Sequence, residues 1–173
     1  LGASLGEGLY VYLAAKKQQS GATIEETYDY LMQTRPHLCH WFTVNDLMFL
    51  KRGGRVDAAT AIVGTVLQIK PLLKGDTEGK IVCFGQVRGR KKSIEMMAEQ
   101  YNRYAENAEA ETIGIAHADC PEDAEALIAL LNRSHPPKNV ILACYEPMTG
   151  AHVGPDALAL FFYGKKEFRP AMK

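Results

Sequence analysis

Apolar positions recur along this chain with two alternating periods, and the switches between them mark out its elements. Leu5, Leu9, Tyr12 and Leu13 share one helical face, and Ser20-Gly21 stops that helix. Thr23, with Glu26 three residues on, makes a capping box for a second helix. That helix carries Ile24, Tyr28 and Leu31 on one side and ends before Pro36. Residues 38–44 form an apolar, aromatic run of strand length; Asn45-Asp46 then caps a short helix, 47–52, closed by Gly53-Gly54. Asp57 caps a further helix through Ile62, Val63, Val66 and Leu67, ending before Pro71. Its stretch 58–67 carries no charge and reads as buried almost all round, so it needs cover on both sides.

Residues 70–73 and 80–87 are strand candidates joined by Gly-Asp-Thr-Glu-Gly, the turn chemistry of a hairpin. A long helix over 91–106 follows, with Ile94, Met97, Tyr101 and Tyr104 as its apolar stripe. Strand 112–117, helix 121–132 and strand 139–145 then give a βαβ signature, with Ala124, Leu127, Ile128 and Leu131 facing inward. Pro121 suits the first helical position, and Asp119 is placed to help cap it. Residues 149–155 read as a turn-rich loop before a last buried strand, 158–163. The pattern predicts an α/β fold with a mixed sheet flanked by helices.

Composition narrows the function classes. With 173 residues, 47% apolar and 23% charged, the chain suits one globular domain with a real core, against disorder, collagen or a solenoid. Twenty basic residues balance twenty acidic ones, so no global field draws nucleic acid or an anionic membrane, and any anion must be held by a local cluster. No apolar run reaches the length of a membrane span. Cys39, Cys83, Cys120 and Cys144 form no CxxC pair and sit mostly in apolar runs, as reduced thiols of a cytoplasmic protein do. The chain opens at Leu1 without a signal-peptide pattern, which reads as a cut within a longer protein.

Three clusters could carry chemistry. In Lys51-Arg52-Gly53-Gly54-Arg55 two glycines let backbone N–H groups approach a ligand, and Arg55 offers a fork of donors to a carboxylate or phosphate. The same residues also read as a glycine C-cap with exposed cations. Arg88-Gly89-Arg90-Lys91-Lys92 sets cations at the positive end of a helix, an arrangement that suits an anion or an acidic partner, or else a solvated loop. Thr149 to Pro155 places His152 just before a buried strand, as a donor to an anion or as a surface imidazole. His117, Asp119 and Cys120 match no zinc spacing, and His37 and His40 beside Trp41 read as local packing. No GxSxG elbow, phosphate-binding loop or complete GxGxxG opening a helix is present.

Taken in order, Asp46-Leu47 with Leu50 to Arg55, Ile69-Lys70-Pro71, Val87 to Lys92, His117-Ala118-Asp119, Pro121 to Ala124 and Gly150 to Pro155 resemble the DegV family over nearly the whole chain. The resemblance implies the C-terminal lobe of a two-lobed, non-catalytic protein with no cofactor. Its ligand would be a long-chain fatty acid, presented to a separate ATP-dependent fatty acid kinase for acyl-phosphate formation. An upstream lobe with Thr and Ser loops would complete the head-group site, and a lobe without it would self-associate. By matching motifs, Arg55, Gly53, Gly54 and His152 take the head group, and Arg88 with Arg90 meets the kinase or its phosphoryl group. Ile62, Val63, Val66 and Leu67 are candidates to line the acyl tunnel. Two other functions compete: a phosphoryl-transfer enzyme or phosphorylated-metabolite binder of related fold, and a regulatory module that uses residues 88–92 against an acidic partner.

Overall fold

The computed structural model describes residues 3–57 and 68–165, so the uncharged stretch with Ile62, Val63, Val66 and Leu67 lies outside the described residues. Helices α1 (Leu5–Gln19) and α2 (Ile24–Thr34) open the chain, followed by strand β1 (Leu38–Thr43) and helix α3 (Leu47–Arg52). The hairpin β2 (Ile69–Gly75) and β3 (Ile81–Arg88) leads into α4 (Arg90–Tyr104). Then come β4 (Thr112–His117), α5 (Pro121–Ser134), β5 (Asn139–Cys144), α6 (Pro147–Val153) and β6 (Leu158–Tyr163). The Thr23–Glu26 capping box forms in both directions, Glu26 N–H to Thr23 Oγ1 and Thr23 N–H to Glu26 Oε2.

The six strands make one mixed sheet in the order β3-β2-β1-β6-β4-β5. The βαβ unit appears as the parallel pair β4 and β5 joined by α5; the other pairings are antiparallel. Pro71 is tolerated because the β1 to β2 register, Trp41 on Lys74 and Phe42 on Leu73, stops short of it, so no ladder donor is missed on that side. Asp76 builds the hairpin turn, its Oδ1 accepting from the N–H groups of Glu78 and Lys80.

Strand alternation sorts the sheet into two unlike faces. On one, Trp41, Leu72, Ile113, Ile115, Leu158, Leu160 and Phe162 pack under α4 and α5 through Ile94, Met97, Tyr101, Ala124, Leu127 and Leu131, all buried. On the other, two smaller clusters stand apart. One gathers Leu9 of α1 with Leu38, Ala116, Ala159 and Phe161; the second gathers Leu47 and Leu50 of α3 with Val44, Leu73, Ala118, Val153 and Ala157.

Two expectations need correction, and one apolar side lies open. Residues 149–155 are not a turn-rich loop: most belong to α6. Glu146 caps that helix by accepting the Thr149 N–H at 2.9 Å, Pro147 supplies the first position and Gly154 ends it. Asp119 does not cap α5; it sits at φ 56°, and Cys120 occupies the cap position without a side-chain bond to the helix start. The apolar side of α2 is not core, since Ile24 is 79% and Tyr28 62% exposed.

Candidate functional site

The segment after α3 folds as a complete glycine-terminated helix end. Gly54 N–H donates to Lys51 O at 2.9 Å and Arg55 N–H to Leu50 O at 2.8 Å, with Gly54 at φ 69°. This pattern normally carries an apolar residue at the position after the left-handed glycine, where it packs back on the last helical turn. Here that position is Arg55. The cap and the candidate anion site are therefore one structure: the cap fixes the backbone, and the fixed backbone aims a cation. Arg55 Nη1 donates to Gly53 O at 2.6 Å, which uses one of the fork's five N–H donors and anchors the group.

Helix α6 brings His152 to the same place. Its ring lies so close to Gly53 that any Cβ there would collide with Nδ1, so the glycine's missing side chain is the space the imidazole occupies. His152 stands in the last turn of α6, where a cation is favoured. At the helix start Glu146 is held below the usual carboxylate range, first by the Thr149 hydroxyl, then by the Thr149 N–H, and also by His152. Gly53, Arg55 and His152, which the sequence singles out from distant stretches, are thus brought together.

Between the two smaller clusters lies a cavity of about 560 Å³. Arg55, His152 and Thr149 line it together with an apolar set, Phe42, Leu50, Ile81, Val153, Ala159 and Phe161. Ser4 at the start of α1 and Tyr145 after β5 complete the wall. Burial pushes the Tyr145 phenol up from its ordinary value, opposed by a hydrogen bond with Ser4. The volume falls within the range of small-ligand sites, which combine apolar walls with a few convergent polar groups. His40 also lines the cavity, although its sequence setting reads as packing alone.

The family profile described as "Uncharacterised protein, DegV family" matches residues 2–165. A DegV domain-containing protein of Clostridium perfringens is 40% identical over 162 residues, which is 94% of this chain and 56% of the relative. One from Streptococcus pyogenes is 36% identical over 165 residues, 95% and 57% of the two chains. The chain belongs to the DegV family. Among solved structures, a DegV family protein of Thermus thermophilus presented for fatty acid binding superposes with a TM-score of 0.83 at 29% identity, covering 94% of this chain and 58% of that one. DegV of Bacillus subtilis, described as a fatty acid binding protein, gives 0.76 at 29% identity over 93% and 57%. The chain spans a little over half the length of the DegV relatives it matches.

The basic stretch that opens α4 is not part of the cavity of this DegV chain. Ile81 lines the cavity from the near end of β3, and Arg88 ends the same strand, roughly 20 Å away at the ordinary rise per residue. Arg88 is exposed, whereas Arg90 turns inward, its Nε donating to Asp123 Oδ2 at 2.7 Å with the two side chains only 21% and 28% exposed. Asp123 thereby offsets the unfavourable cation in the first turn of α4, and Lys92 is shared between Glu95 and Glu99. His117 Nδ1 accepts the Cys120 N–H, and no group of three metal-binding side chains gathers among the described residues. Nor is any described helix long and apolar enough to cross a membrane.

Proposed function

We propose that this chain binds a long-chain fatty acid, with the acyl tail in the cleft on the sheet's second face and the carboxylate on Arg55 and His152. The observation that carries this reading is one cavity with two chemistries: Arg55 and His152 on a wall where Phe42, Leu50, Ile81, Met148, Val153, Ala159 and Phe161 are apolar and Ser4, Glu78 and Thr149 are the other small or charged polar groups. A fatty acid is an anion on an apolar chain and needs both. Each buried methylene contributes about 0.8 kcal/mol, so the tail dominates affinity while the charged head sets orientation. The DegV structures presented as fatty acid binding support the ligand class. A phosphorylated metabolite would suit a short polar cleft, and the apolar lining weighs against it.

In the same reading the protein performs no chemistry itself. The remainder of a full DegV chain forms a second lobe that adds donors to the carboxylate, and a separate ATP-dependent fatty acid kinase receives the presented acid to form an acyl phosphate. Arg88, exposed at the far end of β3, is the proposed contact for that partner, which keeps docking and lipid capture apart. Four cysteines outside any disulfide support a reducing cytoplasm as its location.

Organic extraction and mass spectrometry of co-purifying lipid test the reading, run on this chain and on a chain extended to the length of its relatives. A stoichiometric fatty acid on either form is the expected result. Two empty forms that also fail to take up added fatty acid would overturn it.

A further inference from the structure

We propose that His40 is the end wall of the acyl cavity and sets the length of chain the site accepts, an inference that rests on the fatty-acid reading above. The sheet register places four residues of the cavity face in one row across four strands. Gly114 of β4 lies opposite Phe161 of β6, Phe161 lies opposite His40 of β1, and the β1 to β2 register continues from Trp41 on Lys74 to bring His40 beside Gly75. Two rings therefore stand side by side with a glycine on each flank. The His40 and Phe161 rings are stacked, 28° apart in plane with centroids at 6.5 Å. The next row on the same face holds Phe42 and Ala159, both of which line the cavity.

This row ends the open space on the sheet, because beyond it Leu38 is packed with Leu9 of α1, in a cluster that Phe161 of the row itself joins. His40 leans over Gly75 so closely that a Cβ there would stand 2.5 Å from Cε1 and 2.6 Å from Nε2. Its ring is bounded by Phe161 on one side, by the β2 backbone on the other and by the sheet beneath. A side chain added at Gly75 would displace the imidazole from its place over β2, toward the cavity that it lines. Removing the imidazole opens the same space. The position of this one ring thus fixes how many methylenes are buried, and each buried methylene is worth about fourfold in affinity.

The test is competitive binding of a graded series of saturated fatty acids to His40→Ala, Gly75→Ala and the double variant, using whichever form of the protein retains lipid. His40→Ala shifts preference toward longer chains, by about fifteenfold between acids two methylenes apart. Gly75→Ala shifts it toward shorter chains. The double variant behaves as His40→Ala alone, because without the ring the new methyl displaces nothing. If the single variants bind with the parent's length profile, the end-wall assignment is overturned and fatty-acid binding stands. If the parent itself binds no member of the series, both fall together. Should Gly75→Ala fail to fold, the profile of His40→Ala decides the matter alone.

Discussion

The two faces of the sheet are built from the same six strands and do opposite things. Under α4 and α5 the strands present Trp41, Ile113, Ile115, Leu158, Leu160 and Phe162, which fill the space completely. Toward α1, α3 and α6 the same strands present Gly75, Gly114, Ala116 and Ala159 beside His40, Phe42 and Phe161, and a cavity of about 560 Å³ remains. Side-chain volume alternates along β4 in step with the pleat, Gly114 and Ala116 against Ile113 and Ile115, and Ala159 sits between Leu158 and Leu160 in the same way, so one face gains packing and the other keeps room for a ligand. Stability and binding are therefore expected to respond to different residues on the same strand.

Substitutions separate the two roles. The largest stability effect belongs to the packed face: Ile115→Ala should cost about 2–5 kcal/mol in chemical denaturation, because the residue is fully buried against α4 and α5 neighbours. Its effect on the order of fatty-acid preference should be nil wherever the protein is folded. Arg55→Ala should do the reverse, weakening fatty-acid binding by about tenfold in a titration while leaving stability within about 0.5 kcal/mol, as an exposed side chain with one local bond allows. Gly53→Ala sharpens the contrast: the added methyl expels His152 from its seat, so binding should fall by a similar factor although neither residue proposed to hold the carboxylate has been changed. Arg88→Glu should leave lipid retention intact and abolish turnover with the kinase; a normal coupled rate would remove Arg88 from the docking role.

The smallest effect concerns Tyr101, whose hydroxyl is buried under the packed face with no hydrogen-bond partner among the described residues. Burial pushes that phenol up to about 12. The unfolded chain, with its phenol near 10, ionises first, so the fold keeps its full stability below pH 10 and loses part of it as the pH rises toward 12. Tyr101→Phe should flatten the alkaline part of the stability curve and raise stability by up to about 1 kcal/mol at neutral pH.

Much of this arrangement is legible in the sequence, and the parts that are not share a cause. Caps and turns are local, so the Thr23 box, the Asp46 cap, the Gly53-Gly54 helix end and the hairpin turn at Asp76 all appear where residue chemistry puts them. Helix α6 is equally marked by Glu146, Pro147 and Gly154, but Thr149 and Gly150 between them argue for a loop, and the cap outweighs them. Strand order and register are not local. Nothing in the stretch around His40 shows that it will stand opposite Phe161 and beside Gly75, so an imidazole that reads as packing becomes a cavity wall only in the assembled sheet. Exposure of Ile24 and Tyr28 is of the same kind: periodicity reveals an apolar side without saying what lies against it.

The most direct test of the central claim is where a fatty acid sits on the sheet. Titration of isotope-labelled protein with palmitate, followed by side-chain and backbone NMR shifts, reads this residue by residue. Perturbations are expected at Arg55, His152, His40, Phe42 and Phe161, with Ile115, Leu127 and Leu160 on the packed face unmoved. Shifts centred on α4 and α5, or saturating binding that leaves Arg55 and His152 untouched, would contradict it.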